Sequence, residues 1–331
     1  MPLAYSAEKE YAHQLVVRAA SLCRQVQLEL VRPLTAQKTD RSPVTVADYA
    51  AQAVMCQGLA SCFASDSVVA EETAVDLRRP DGASMLSQVT GYVRDWLPQA
   101  TPQAVCEWID HGGAEPGRRF WTLDPIDGTT GFLRGEQYAI TLALIVDGQV
   151  QVGALACPNL PLDLEQPDGP RGVVFVGVRG QGAEMRLLDG GPAWTVRVGA
   201  TPDPHAARLV ESVEPGHTDH AAHQALADAM GIARPALRMD SQAKYGVVAR
   251  GEAALYLRLP SPQQPDYRER IWDHAAGALI VEEAGGRATD ALGRPLDFTQ
   301  GRRLSRNRGV IVSNGHLHTA VLEAIQRISG A

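Results

Sequence analysis

A change of texture near residue 200 constrains this chain more than any other feature. From Phe120 to Val198 the sequence reads as strand after strand. FWTLDPID is a strand entering a turn, and ITLALIVDGQVQVGALACP folds back at Asp147-Gly148. GVVFVGVRGQGAEMRLL turns near Gly180–Gly182, and WTVRV adds one more strand. Beyond a GATPDPH linker, strand alternates with helix. ARLVESVE and ALYLRLP read as strands; TDHAAHQALADAM, SQAKYGVVARGEA and WDHAAGALIVEEAGG read as helices, the last closed by Gly285-Gly286. Short strands and a final amphipathic helix, Leu317 to Ile328 with Asn314 as its cap, complete the chain. The expectation is two units, residues 1–199 of α+β type and residues 200–331 of α/β type.

Ahead of the strand block, Leu15, Val16, Ala19, Leu22, Cys23, Val26 and Leu30 recur at helical spacing, with Ser6 as cap and Pro33 as stop. A second helix is expected from about Val46 to Phe63, with Thr45 as cap and Asp48 three residues on, a capping-box spacing. Ser67–Ala70 is a short strand running into Glu71-Glu72. Ala74–Arg119, with one helical patch around Ser87–Trp96, reads as an insertion or lid.

Composition narrows the partners. With 31 Lys and Arg against 38 Asp and Glu, the net charge of −7 argues against a polynucleotide or anionic membrane surface as partner. Five cysteines (Cys23, Cys56, Cys62, Cys106, Cys157) without a C-x-x-C pair fit a reduced compartment, and neither a disulfide framework nor a zinc site. The first residues lack an apolar secretory core, and no run approaches a membrane span, so the expected location is cytoplasmic.

The most informative segment is Asp124-Pro125-Ile126-Asp127-Gly128-Thr129-Thr130. A strand delivers two carboxylates into a turn, with the Ile126 carbonyl free to join them. That is a hard-oxygen setting suited to Mg²⁺ and unsuited to zinc. The same residues would also serve a plain turn in which both aspartates bind backbone amides. Glu71 projects past a strand end, with Glu72 as its more solvated neighbour. Asp273, in Ile-Trp-Asp-His, is either a ligand or a helix cap, and Asp48 is either a functional acid or the capping-box acid. The amides of Gly128 and Thr129 are placed to cradle a phosphate.

Glu71-Glu72, Asp124 to Thr129 and Trp272-Asp273, in this order, resemble the signature of the lithium-sensitive, Mg²⁺-dependent phosphatase superfamily of inositol monophosphatases and fructose-1,6-bisphosphatase. The resemblance implies a five-layer αβαβα sandwich with an antiparallel first sheet and a mixed second one, and two or three Mg²⁺ per site. It implies that Glu71, Asp124 and the Ile126 carbonyl hold one metal, and that Asp124, Asp127 and Asp273 hold another. Thr129, paired with Asp48, would orient the attacking water; Glu71 belongs to the same catalytic set.

Further stretches are similar to the 3′(2′),5′-bisphosphate nucleotidase branch: SPVTVADYAAQ, GTTGFLRGEQYAI, SVEPGHTDH, DSQAKY, YLRLP and IWDHAAG. Inositol monophosphatases lack the DSQAKY and YLRLP blocks. The implied substrate is a small nucleotide, adenosine 3′,5′-bisphosphate or its sulfated form. The resemblance brings Gly128, Thr129, Glu214, Gly216, His217, Ser241, Lys244, Arg258 and Asp273 to it. Ser241 at a helix start, Lys244 one turn later and Arg258 on the polar side of its strand suit a 5′-phosphate clamp. Each also fits a blander role, a cap for Ser241 and solvated surface for the other two. His217, His220 and His223 read as a surface stripe rather than a metal face. Two positions depart from the pattern: Ala70 replaces a common Gly, and Thr130 stands where relatives often have Lys. The alternatives are an inositol phosphate phosphatase, and a silent nucleotide-binding protein that kept the fold.

Overall fold

The computed structural model describes residues 4–31, 43–213, 220–259 and 266–329. Helix α1 (Ser6–Val26) buries Ala12, Leu15, Val16, Ala19, Leu22, Cys23 and Val26 along one stripe. Its cap position is held by Tyr5, so Ser6 is the first helical residue rather than the cap. Helix α2 (Pro43–Cys62) begins earlier than expected. Pro43 suits a first turn because its missing N–H has no partner there to lose. Thr45 therefore lies inside the helix, and Asp48 is not the acid of a capping box.

The first sheet has seven strands in sequential order. They are β1 (Ser67–Ala70), β2 (Arg119–Asp127), β3 (Ala139–Val146), β4 (Gln149–Pro161), β5 (Arg171–Val178), β6 (Gly182–Leu187) and β7 (Trp194–Thr195). From β2 onward it is an antiparallel meander, while β1 pairs parallel to β2. The Asp147-Gly148 hairpin closes with φ of 50° and 75°, the left-handed pair that matches strand twist. Helices α3 (Ala83–Trp96) and α4 (Pro102–Asp110) fill the stretch between β1 and β2. They bury Val89, Val93, Val105 and Ile109 and pack on α2, so this stretch is part of an outer layer and not a lid.

The second sheet is mixed: β8 (Leu209–Glu211), β9 (Leu237–Arg238), β10 (Leu255–Arg258), β11 (Arg287–Thr289) and β12 (Val310–Ser313), in the order β11-β12-β10-β8-β9. Strand β9 is only two residues long, too short to show a sequence period. Between the sheets lie α7 (Ala243–Ala249) and α8 (Ala275–Glu283), whose partners are β3, β4, β5 and β6 on one side and β8, β10, β11 and β12 on the other. Helices α6 (His220–Met230) and α9 (His318–Ser329) cover the far face, and the Asn314 side chain accepts from the Leu317 amide (3.1 Å) to cap α9. Helix, sheet, helix, sheet, helix: the five-layer sandwich is the observed architecture.

Close packing fixes α8, and with it Asp273. A side chain at Gly153 on β4 would meet the Ala276 carbonyl oxygen at 2.8 Å, so only glycine lets α8 lie this close to the sheet.

Candidate active site

The two carboxylates of the DPID segment share a cleft because β2 is irregular there. Residues three apart on a regular strand face opposite sides. Here Asp124 pairs with Thr141 but Asp127 pairs with Ala139, one extra residue on β2. Such a bulge re-aims side chains, and Pro125 is tolerated in it because it needs no ladder donor. The expected turn is thus a bulge within the strand. Asp124 Oδ1 accepts from the Ile126 amide (3.0 Å), and Asp127 Oδ2 accepts from the Gln242 amide (2.6 Å).

Helix α5 (Thr129–Arg134) starts directly after Gly128, whose φ of 87° few other residues adopt. A Cβ there would stand 2.8 Å from that of Ser241, so glycine also lets the two loops meet. Glu71 follows β1 in a segment pinned from three sides. The Glu72 backbone exchanges hydrogen bonds with the buried Gln52 side chain (3.0 and 2.7 Å). Asp110 accepts from the Ala74 amide (2.8 Å), and Arg302 donates to the Ala70 carbonyl. Asp273 precedes α8, and its neighbour's carbonyl, that of Trp272, accepts from Gln242 Nε2 (2.9 Å) and Thr141 Oγ1 (3.3 Å).

These elements enclose a cavity of about 390 Å³ lined by Glu71, Asp124, Ile126, Asp127, Gly128, Thr129, Ser241, Lys244, Arg258 and Asp273. Ten of the residues singled out in the sequence therefore meet in one place. Asp48 lies buried behind the acid wall, and no hydrogen bond joins it to Thr129 among the described residues. Glu214, Gly216 and His217 lie outside the described residues. The same cleft holds Ser212, Asp240, Gln242, Tyr267, Arg270 and Arg303, which sequence reasoning missed. For Arg270, proximity to the Trp272-Asp273 motif was an available signal. Arg303 had none, because the pairing that brings it to the cleft is not local.

The electrostatics of the acids follow from crowding. Burial, then the charges of Glu71, Asp127, Asp273 and Asp48, push the Asp124 carboxyl well above its ordinary range. Burial and the charge of Asp127 do the same to Asp273 against the opposing pull of Arg258. Asp48 is raised by burial and by Glu72 and Glu71. Glu71 reaches solvent at the cleft mouth, yet desolvation raises its carboxyl while a hydrogen bond with Asp124 works the other way. Glu72 is half-buried rather than solvated, and burial with Glu71 and Asp76 nearby lifts it to about 7.

The opposite wall is basic and largely self-satisfied. Arg258 grips Glu269 with Nε and Nη2 (3.1 and 3.0 Å). His274 adds Nε2 to the same carboxylate (3.1 Å), and its Nδ1 meets the Tyr245 hydroxyl (2.7 Å). Burial opposes ionisation of Glu269, but Arg258 and His274 outweigh it and hold its pKa at about 2. Lys244 is buried; its ammonium donates to the Met239 carbonyl (3.2 Å) and lies 5.2 Å from the Tyr256 ring centre. Burial draws its pKa down to about 8, Asp127 resists, and Arg258 adds to the fall. Neither cation is the solvated surface group of the blander reading. Ser241, at a left-handed φ of 67°, precedes Gln242, the cap residue of α7, and its hydroxyl accepts from the Ala243 amide (3.2 Å).

The acid set fits a divalent cation on its donor chemistry. All its donors are hard oxygens, Asp124 is 2% exposed, and among the described residues no cationic side chain pairs with Glu71, Asp124, Asp127 or Asp273. A buried carboxylate without a cation is costly unless protonated or coordinated. Glu269, Asp273 and His274 also bring ligand atoms within 4.8 Å of one another. In that group, however, Glu269 and His274 are occupied by Arg258, Tyr245 and each other.

Two larger hollows lack this chemistry. One, of about 560 Å³, lies along α3 and α4, lined by Leu77, Leu86 and Pro102. The other, of about 520 Å³, lies beside α6, where Glu211 takes His220 (2.9 Å), His223 (3.2 Å) and Arg238 (2.9 Å). His220 and His223 are thus internal partners of one carboxylate, not a surface stripe.

Comparison with known proteins agrees with this geometry. The family model described as inositol monophosphatase family matches residues 3–329. A 3′(2′),5′-bisphosphate nucleotidase of Oryza sativa is 41% identical, covering 97% of this chain and 94% of the relative. One from Emericella nidulans is 40% identical, with 98% and 99% covered. Among solved structures, an inositol monophosphatase from Anabaena superposes with a TM-score of 0.64 at 19% identity, covering 98% of this chain and 97% of the other. One from Zymomonas mobilis gives 0.64 at 23% identity, with 98% and 99% covered. Matched over almost its whole length, with the acids of the signature gathered in one cleft, the chain belongs to the inositol monophosphatase family.

Proposed function

We propose that this protein is a Mg²⁺-dependent phosphatase that removes the 3′-phosphate from adenosine 3′,5′-bisphosphate, and from its sulfated form, leaving the 5′-substituted nucleotide and phosphate. The observation that carries this reading is the division of the cleft: a cation-seeking acid wall faces a wall of hydroxyl, ammonium and guanidinium donors. A substrate with two separate anionic groups suits both walls at once. The names of the relatives at about 40% identity support the same substrate class.

In this reading Glu71, Asp124, the Ile126 carbonyl, Asp127 and Asp273 hold the Mg²⁺ ions. Bound there, divalent cations supply Lewis acidity to the phosphoryl group and a more acidic water. Thr129 directs the attacking water with its hydroxyl. Asp48, in its ionised form, takes the proton passed on by Thr129, and its raised pKa makes that carboxylate the stronger base. Amides at the start of α5 receive the departing phosphate. Ser241, Lys244 and Arg258 hold the 5′-phosphate, and Glu214, Gly216 and His217 contact the nucleotide.

The test is a phosphate-release panel with and without Mg²⁺. It covers adenosine 3′,5′-bisphosphate, its sulfated form and inositol 1-phosphate. The expected result is Mg²⁺-dependent release, fastest from the two nucleotides. Equal or faster turnover of inositol 1-phosphate overturns the substrate assignment, and tight nucleotide binding without release overturns the activity.

A further inference from the structure

The cations named so far leave a charge problem. Arg258 is neutralised by Glu269, which leaves Lys244, held by a carbonyl and a ring face, as the single net charge of that clamp. A dianionic phosphate bound to these groups alone meets little net positive charge. Two other guanidiniums line the same cleft, Arg270 and Arg303.

Their placement is unusual. Arg270 and Arg303 are paired directly across an isolated antiparallel bridge, flanked by hydrogen bonds from the Ile271 amide to the Arg302 carbonyl (3.3 Å) and from the Leu304 amide to the Glu269 carbonyl (2.9 Å). Residues opposed in this way carry side chains on one face, and like charges so placed repel. Neither forms an ion pair with a carboxylate among the described residues. Arg303 Nη1 donates to the Arg268 carbonyl (2.8 Å), which fixes the side chain without neutralising it. Arg270 is braced against the Trp272 ring, 5.3 Å from its centre, and its charge acts on Glu71. The charge of Arg303 acts instead on Tyr267, an exposed aromatic lining the same cleft. Both guanidiniums are held, neither is ion-paired among the described residues, and both line a cavity large enough for a small ligand.

We infer that Arg270 and Arg303 form an anion subsite for the non-scissile phosphate of a nucleotide substrate. Arg303 decides whether a ligand carrying that phosphate is preferred. An oxyanion in the cleft can accept charge-assisted, forked hydrogen bonds from these guanidiniums. Divalent cations on the acid wall strengthen the effect, because they cancel the negative field of Glu71 that otherwise offsets Arg270. The inference rests on the nucleotide reading above and adds to the single net charge of Ser241, Lys244 and Arg258.

Binding, not turnover, tests it. Adenosine 5′-monophosphate and adenosine are titrated calorimetrically onto the wild-type protein, Arg303→Ala and Arg303→Lys in Mg²⁺ buffer. The subsite predicts that Arg303→Ala weakens adenosine 5′-monophosphate about tenfold, the scale of one charge-assisted hydrogen bond. It also predicts unchanged binding of adenosine and partial recovery in Arg303→Lys. Circular dichroism melts identify any variant that fails to fold, in which case Arg303→Gln replaces it. Equal affinity of wild type and Arg303→Ala for adenosine 5′-monophosphate overturns the inference, as does an equal loss for adenosine or no binding to the wild type. Phosphate release is measured separately. An Arg303-dependent affinity without release from the bisphosphate sinks the proposed activity and leaves the subsite standing.

Discussion

On one side of the cleft Asp124, Asp273 and Glu71 crowd together, and no cationic side chain pairs with them among the described residues. On the other, Arg258, Glu269, His274 and Tyr245 form a closed chain of bonds between 2.7 and 3.1 Å. The sums of charge differ, negative on the first side and balanced on the second, but the more instructive difference is in satisfaction. The acid wall is incomplete as protein and is built for something added. The basic wall is complete as protein, and its fixed shape suits it to position a ligand.

The largest expected effect comes from breaking the acid wall. Asp127→Asn keeps the hydrogen bond from the Gln242 amide, since the side-chain carbonyl still accepts, but removes the charge. Mg²⁺-dependent phosphate release should fall by about a thousandfold or more, in line with losing a group that acts on the reacting centre. Retention of activity within about tenfold would remove Asp127 from the metal set.

Breaking the basic wall should show up in stability as well as binding. Arg258→Ala strands Glu269, a buried carboxylate, with only His274 beside it. Removing one member of a buried pair costs about 3 kcal/mol. Urea unfolding should therefore show a clear drop in midpoint, whereas Asp127→Asn should show none. If both variants are equally stable, the contrast between a satisfied wall and an unsatisfied one is wrong.

The same contrast explains what the sequence could disclose. Residues on one short segment, such as Asp124, Asp127, Gly128 and Thr129, announce themselves because local spacing brings them together. Even there the mechanism differed from the expectation, since a bulge and not a turn turns both carboxylates inward. Strands and helices with strong periods were legible, and so were the two textures that become two sheets. A capping role stays open for Asp48 in the sequence because nothing local shows that α2 starts at Pro43, ahead of the apparent cap. The stretch after Ala74 looked like a lid because the stripes of α3 and α4 make sense only against α2. Arg303 reaches the site through a pairing between distant segments, and no local pattern records that.

Acidity offers a milder test of the unsatisfied wall. Asp48, Asp124 and Asp273 have carboxyls raised above their unfolded values. A raised folded value means that more protons are bound in the native state. That contribution to stability is present at acid pH and is lost as pH rises through the folded value. Without metal, the protein should therefore lose stability as pH rises above the ordinary carboxylate range and these groups are forced to ionise. Mg²⁺ binds the ionised native form and should restore it, raising Tm by a few degrees at pH 8 and less at pH 5.5. Scanning calorimetry with Mg²⁺ or a chelator reads both numbers, and an equal shift at the two pH values would count against the carboxylates as its source.

The smallest effect probes the one member of the basic wall whose charge is itself variable. Lys244 has a pKa of about 8, lowered chiefly by burial, so its ammonium is mostly present at pH 7 and mostly lost at pH 9. If it grips the substrate's second phosphate, KM for adenosine 3′,5′-bisphosphate should rise across this window, by about tenfold at most, the change in protonated fraction. Cations on the acid wall cancel part of the Asp127 charge that supports the ammonium, so the rise should begin at lower pH as Mg²⁺ increases. Substrate opposes that trend, because a bound phosphate favours the charged form. Lys244→Arg carries a charge that does not titrate here, and it should flatten the KM profile whatever it does to kcat. A profile identical in the two proteins would mean that the Lys244 ammonium holds the fold together through Met239 and never meets substrate.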